Sequence, residues 1–360
     1  MTAYACLNCG QLYPGVGSHV CPTCGGTFGV PGGIQFERKS IEKDQPGIWR
    51  YRQSFGLPDS APSLSLGEGG TPLLAAEIAN RLVWLKLESA NPTGSYKDRL
   101  AAVMVSLLAA YEVRAAVEDS SGNAGAAFAA YAARAGIGAK VYVPSSAAGP
   151  KLAQIERFGA EVVPVPGPRQ EAADAVLAEA AQGAVYASHA YLPHGLAGIA
   201  TIAYELVEQL GQAPGTLVAP AGHGGLLLGI VLGFQALQAA GEIETLPQFV
   251  GVQAAENAPL WAAAKGQNFR AGSTIAGGIA VSEPARGPEL LELYRREIVD
   301  LLTVTEEEIR AGQQALARQG IDAEPTSAVV VDACRQLFAR GESQSGGPVA
   351  AVISGHGLKG

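Results

Sequence analysis

The chemistry of this sequence is concentrated in one lysine, three loops of small residues and a set of four cysteines. Lys97 lies in Asn91-Pro92-Thr93-Gly94-Ser95-Tyr96-Lys97-Asp98-Arg99, where a strand-like run gives way to a helical pattern. The positive dipole end of a helix N-terminus disfavours an ammonium and lowers its pKa. A lysine so placed is a Schiff-base candidate. On this segment alone, a solvated surface lysine is the simpler account.

Asp119-Ser120-Ser121-Gly122-Asn123-Ala124-Gly125 opens a helix that is nearly all alanine. Its backbone N–H groups and two hydroxyls can hold an anion, and Asn123 adds a neutral amide that can donate to a phenolate-type oxygen. A well-capped helix explains the same residues. In Pro220-Ala221-Gly222-His223-Gly224-Gly225-Leu226 the glycines let consecutive N–H groups converge on a phosphate. This is no P-loop, since no GK[ST] follows, and the full GxGxxG spacing is missing. Ser354, in Ile353-Ser354-Gly355-His356-Gly357-Leu358-Lys359, either donates a hydrogen bond inward or belongs to a C-terminal turn. Together the loops supply an imine-forming amine, an amide donor, a phosphate cradle and a hydroxyl. That set suits pyridoxal phosphate, which carries an aldehyde, a phenolic oxygen, a phosphate and a ring nitrogen.

Cys6-x-x-Cys9 and Cys21-x-x-Cys24 each offer two thiolates from one tight turn, with Gly10 and Gly25–Gly26 letting the backbone curl. Four sulfur ligands at this spacing predict a closed, structural zinc ribbon. The competing reading, two disulfides, suits an oxidising compartment. His19 is outside the four-cysteine set, and Cys334 reads as a small buried hydrophobe.

The elements that must position these groups follow from periodicity. Short β-rich runs (Arg81–Glu88, Ala115–Val117, Lys140–Val143, Glu161–Val165, Val185–Ser188, Thr216–Ala219, Phe249–Gln253, Val349–Ile353) alternate with helical patterns such as Ala124–Ala135 and Leu226–Ala239. Thr305 and Glu308 form a capping box. Strand–helix alternation predicts mostly parallel sheets covered by helices on both faces. Such sheets bind ligands at the carboxyl ends of their strands, where all three small-residue loops fall.

Composition narrows the classes. Of 360 residues, 48% are apolar and 16% charged, which excludes global disorder. The formal charge is −8, and residues 1–30 contain no Lys or Arg, so a nucleic-acid partner is not expected. The charge-free stretch from Gln209 to Gly241 is broken by Pro214, Pro220 and Gly222–Gly225, leaving too short an apolar run to cross a membrane. No signal-peptide pattern opens the chain. A cytoplasmic location is expected.

The order of the lysine segment, Ser-Ser-Gly-Asn, the glycine loop and Ser-Gly-His-Gly-Leu-Lys resembles threonine synthase and related fold-type II pyridoxal enzymes. Trp49-Arg50-Tyr51, Ser65–Leu73 and Glu324–Ala328 add to the likeness. The resemblance implies a small zinc ribbon (1–30), a large cofactor-binding domain (31–104 with 190–360) and a small α/β domain (105–189), both domains three-layer α/β/α. It implies Lys97 as the imine-forming and proton-shuttling residue. Asn123 goes to the ring O3′, Gly222, His223, Gly224, Gly225 and Leu226 to the phosphate, and Ser354 to the ring nitrogen. Ser120, Ser121 and Gly122 go to the substrate carboxylate, and Glu324 lies near the ring. The implied activity converts O-phosphohomoserine and water to threonine and phosphate; a homodimer is in keeping with it.

Two segments depart from the family. The phosphate loop has Gly222-His223-Gly224-Gly225-Leu226 where threonine formers usually read Gly-Asn-Ala-Gly-Asn. The stretch Leu192–Thr201 lacks the usual Arg and Lys-Thr, and only His194 there could be cationic. A dianionic leaving group calls for Arg or Lys. Thr274–Val281 also resembles threonine and serine ammonia-lyases, so the alternative activity is a lyase on a β-hydroxy amino acid, or a related β-replacement.

Overall fold

The computed structural model describes residues 2–341 and 347–359. In chain order, β1 (Ala5–Cys6) and β2 (Phe28–Gly29) pair in the ribbon, followed by β3 (Leu73–Ile78), β4 (Arg81–Leu87) and α1 (Lys97–Ala110). Next come β5 (Ala115–Glu118), α2 (Asn123–Ala135), β6 (Gly138–Pro144), α3 (Pro150–Arg157), β7 (Glu161–Val165), α4 (Arg169–Ala181), β8 (Val185–Tyr186) and α5 (His194–Leu210). The remainder is β9 (Thr216–Pro220), α6 (Gly225–Ala239), β10 (Gln248–Ala254), α7 (Pro259–Ala264), α8 (Gly287–Arg295), β11 (Val299–Val304), α9 (Glu306–Ala317), α10 (Pro325–Arg340) and β12 (Val349–Ile353).

The chain divides into two compact units. The first comprises Met1–Gly69, Asn91–Thr93 and Lys97–Thr201; the second comprises Gly70–Ala90, Gly94–Tyr96 and Ile202–Gly360. The first unit contains the ribbon and a wholly parallel sheet ordered β7-β6-β5-β8. Its four strands fall between residues 115 and 186. The alanines of α2 present so little side chain that α1 and α2 pack closely, and Ala126, Ala127, Ala129 and Ala132 are all buried.

The second unit carries a six-stranded sheet ordered β11-β10-β9-β12-β4-β3, parallel except for β3. Its central strands β9 and β12 are buried along their whole length, as a sheet covered on both faces requires. Helix α6 is apolar all round and almost wholly buried, so its chargeless sequence serves a core rather than a membrane. Among the described residues no helix is long and apolar enough to cross a membrane.

Periodicity did not announce β3, α8 or β11. Strand β3 folds back on β4 through Ala79 and Asn80, both at positive φ (51° and 58°), the backbone of a two-residue hairpin turn. The expected capping box is present: Thr305 Oγ1 accepts from the Glu308 N–H, and Glu308 accepts from the Thr305 N–H.

Candidate active site

Both sheets reverse their strand order at one point, and a small-residue loop leaves each. In the first unit β5 has β6 on one side and β8 on the other; in the second β9 lies between β10 and β12. A strand flanked this way leaves a crevice beyond its carboxyl end. The loop after β5 holds Ser120–Gly122, and the loop after β9 holds Gly222–Gly225.

In the second unit, the three glycines of the Gly222–Gly225 loop have no room for a Cβ. A Cβ on Gly222 would lie 2.9 Å from the Gly278 carbonyl oxygen and 3.0 Å from the Ile279 Cα. Gly224, at φ +96°, would place one 2.9 Å from the Arg286 Cβ, and Gly225 one 2.5 Å from the His223 ring. Helix α6 starts at Gly225 without a side-chain cap, and the Gly225 N–H donates to His223 Nδ1 at 3.3 Å. Loop, helix start and missing Cβ atoms make a cradle suited to an anion. The crevice at this loop is also lined by Tyr96, Gly278, Ile279, Thr326 and Ser354.

Ser354 is buried at the end of β12, its Oγ 3.0 Å from Ser327 Oγ. Ser327 in turn accepts from the Gly355 N–H at 2.8 Å and donates to the Gly355 carbonyl at 3.0 Å, which fixes the Ser354 loop. The Tyr96 N–H donates to the Ser354 carbonyl at 3.0 Å. Burial, reinforced by the Glu324 charge, raises the Tyr96 pKa and keeps its phenol neutral.

In the first unit, Lys97 is the first residue of α1 and is buried to 7% exposure. Thus it is no solvated surface lysine. Asp98 anchors the preceding turn by accepting from the Thr93 N–H at 2.6 Å and from the Thr93 hydroxyl. After β5, Ser120 is buried and its Oγ accepts from the Gly122 N–H at 3.2 Å. Gly122 caps α2 without a side-chain hydrogen bond, and Asn123 is the first helical residue. Gly125 is obligatory, since a Cβ there would fall 1.8 Å from the Ser120 carbonyl oxygen.

Sequence reasoning missed the residues around this loop. Glu118, Asp119 and His189 bring carboxylate oxygens and an imidazole nitrogen within 4.8 Å of one another. His189 Nδ1 contacts a Glu118 carboxylate oxygen, and Asp119 accepts from the Tyr186 hydroxyl at 2.7 Å. Burial pushes Glu118 up to about 7 and holds His189 well below the usual imidazole range. The adjacent pair Glu118-Asp119 at a strand end was the available signal.

His194, the one residue of 192–201 that could have been a cation, is not one. Tyr4 stacks on it with ring centroids 3.8 Å apart, and Tyr13 lies at 5.4 Å. Burial pushes its pKa down to about 3, so it is neutral at pH 7.

The ribbon gathers its four thiols. Cys6 and Cys24 Sγ are 3.5 Å apart, Cys9 and Cys21 3.6 Å, and all four lie within 4.8 Å of one another. Each pair closes a turn, with the Gly10 N–H on the Cys6 carbonyl and the Gly25 N–H on the Cys21 carbonyl. Such a cluster could hold a metal ion. Cys334 is buried in α10, its thiol pushed up to about 12.

Comparison with known proteins adds a lineage to this geometry. Residues 64–355 match the family described as pyridoxal-phosphate dependent enzyme. The threonine synthase of Methanocaldococcus jannaschii is 32% identical over 98% of this chain and 92% of its own length. That of Halalkalibacterium halodurans is 34% identical, covering 87% of this chain and 89% of its own. Among solved structures, the T.th. threonine deaminase superposes with a TM-score of 0.65 at 27% identity, over 79% of this chain and 92% of that one. Maize serine racemase, at 20% identity, shares the fold with a TM-score of 0.68 over 80% of this chain and 88% of that one.

Proposed function

We propose that this chain, which belongs to the pyridoxal-phosphate-dependent enzyme family, is a threonine synthase, a lyase that converts O-phosphohomoserine and water into threonine and phosphate. The observation that carries this reading is the set of curated threonine synthases 31–34% identical to it over 87–98% of its length. The reading includes a cytoplasmic enzyme acting as a homodimer on a small amino-acid substrate, with zinc on Cys6, Cys9, Cys21 and Cys24.

The residues present fit pyridoxal phosphate. The backbone N–H groups of Gly222, His223, Gly224, Gly225 and Leu226 take its phosphate, and three of these positions have no space for a Cβ. Asn123 would donate to the ring O3′, and Ser354 would offer the ring nitrogen a neutral hydroxyl, which favours an unprotonated nitrogen. Lys97 offers the amine that binds the aldehyde. When bound, the cofactor supplies a carbonyl that links to amines and a ring that disperses negative charge developing on the attached substrate.

The chain's own residues then do the remaining work. Ser120, Ser121 and Gly122, at the uncapped start of α2, hold the substrate carboxylate. Lys97, as a free amine, would take one proton from Cα and one from Cβ as phosphate leaves Cγ. It would return one proton to Cγ and one to Cα, while the water that adds at Cβ leaves its hydroxyl there and gives its other proton to the departed phosphate.

A second reading is an ammonia-lyase acting on threonine or serine. It is favoured by residues 192–201, which contain no Lys or Arg and whose histidine is neutral. Such a lyase needs no cation for a leaving phosphate. One experiment separates the two: cofactor-loaded protein is given O-phosphohomoserine, and threonine and phosphate are measured together. Equal amounts of both are expected. No phosphate from demonstrably loaded protein overturns the synthase reading, and 2-oxo acid with ammonia from threonine or serine then supports the second.

A further inference from the structure

We propose that Glu118, held by His189, is a positioning residue for the substrate: the proton this pair shares must be in place for a carboxylate to settle on the adjoining Ser120–Gly122 loop. The inference rests on the reading above, which puts the substrate carboxylate on that loop.

Glu118 is the last residue of β5, the strand at which the sheet order reverses. It has no solvent exposure. Its Oε1 contacts His189 Nδ1 and accepts from the His189 N–H at 3.4 Å, while its Oε2 is buried without a hydrogen-bond partner. The Ser120 N–H also interacts with this carboxyl group, so Glu118 is tied directly to the loop. A buried carboxylate with one oxygen unsatisfied is costly as an anion, and a shared proton relieves that cost. Burial accordingly raises Glu118 to about 7, and burial first, then the Lys97 charge, keeps His189 from taking a proton of its own.

The other groups facing the pair do not cancel this charge. Asp119 adds a second carboxylate, engaged by the Tyr186 hydroxyl and itself raised by burial and by Glu118. Arg169, at the start of α4, and Lys97, at the start of α1, act in the opposite sense and favour an ionised Glu118. Arg169 is exposed, so solvent screens it, whereas Glu118 is wholly buried beneath the loop. Once the shared proton is lost, a negative charge lies at the root of the loop and opposes an incoming anion at low local dielectric. Binding and protonation are therefore linked. The Kd of a carboxylate at this loop rises up to about tenfold per pH unit above the midpoint, because one proton is taken up per anion bound.

The probe is 3-hydroxybutyrate, which has the carboxylate and hydroxyl of threonine but no amine to react with the cofactor. Titration calorimetry on the cofactor-loaded full chain, between pH 6 and 9 in two buffers of different ionisation heat, reads affinity and proton uptake together. The expected result is a Kd that climbs toward the tenfold-per-unit slope above about pH 7. Uptake should approach one proton per ligand, and E118Q should remove both slope and uptake. Binding without proton uptake in the wild type overturns this inference alone, and so does an E118Q protein that keeps the same slope. The wild-type uptake decides the matter even where E118Q does not fold. No binding at any pH overturns the underlying carboxylate assignment, and this inference with it.

Discussion

Lowering the pH from 7.5 to 5 should destabilise the first unit through His194. Its ring lies beneath Tyr4 at 3.8 Å, is 4% exposed, and leaves Nδ1 without a hydrogen-bond partner. Burial therefore holds the folded-state pKa at about 3 against 6.5 for a free imidazole. A group depressed in this way contributes stability that is fully present above pH 6.5 and is lost as pH falls toward 3. At pH 5 the unfolded chain gains about 2 kcal/mol by protonating this histidine, while the folded chain gains almost nothing. For a unit of this size that corresponds to about 4–8 °C in melting temperature. The comparison is with His194→Phe, which keeps a ring under Tyr4 and removes the unsatisfied nitrogen. Melting is followed by circular dichroism at pH 7.5, 6 and 5 on metal- and cofactor-loaded protein. The wild type should lose about 4–8 °C more than the variant between pH 7.5 and 5. Parallel losses in the two proteins would refute the claim that His194 is buried and neutral, and would restore it as a candidate cation for a leaving phosphate.

Lys97→Ala should abolish turnover and the imine absorbance together; an unchanged rate without the imine band would remove the lysine from the chemistry. Gly224→Ala, which puts a Cβ at φ +96° and 2.9 Å from Arg286 Cβ, should weaken cofactor binding at least tenfold in equilibrium dialysis while the fold persists. Lys86 is fully buried and donates to Glu205 at 2.6 Å, to Gln209 at 2.9 Å and to the Thr71 carbonyl at 2.8 Å. Lys86→Met should cost about 3–5 kcal/mol by leaving Glu205 buried without its cation. Adding Glu205→Leu should recover much of that loss in denaturant unfolding. Chelation, or Cys9→Ser with Cys24→Ser, should release one metal ion per chain and lower the melting temperature; protein that retains no metal as purified and melts identically would contradict the four-thiol assignment.

The alternation of strands and helices was legible because it follows from periodicity. Residues such as Val349–Ile353 are apolar throughout and bounded by turn residues, and a short run of this kind suits a doubly covered parallel strand. The glycine loop was equally legible, since Gly222 and Gly224 occupy backbone positions that exclude a Cβ. Elements with mixed composition were not. Strand β3 reads Leu-Leu-Ala-Ala-Glu-Ile, is half exposed at a sheet edge, and exists because a two-residue turn folds it onto β4. Neither pattern nor propensity marks such a strand, because its stability comes from its partner.

By itself the sequence determined which chemical groups are available and where along the chain the strands that carry them end: a lysine at a helix start, three small-residue loops and two Cys-x-x-Cys turns. These are local properties, set by residue type and by spacings of a few residues. Tertiary structure alone decided the protonation of those groups and their companions. His194 is neutral because Tyr4, 190 residues earlier, covers it. Glu118 is raised because the end of β5 is buried and His189 reaches it across 71 residues of chain. Desolvation depends on everything packed around a group, and sequence spacing does not record it.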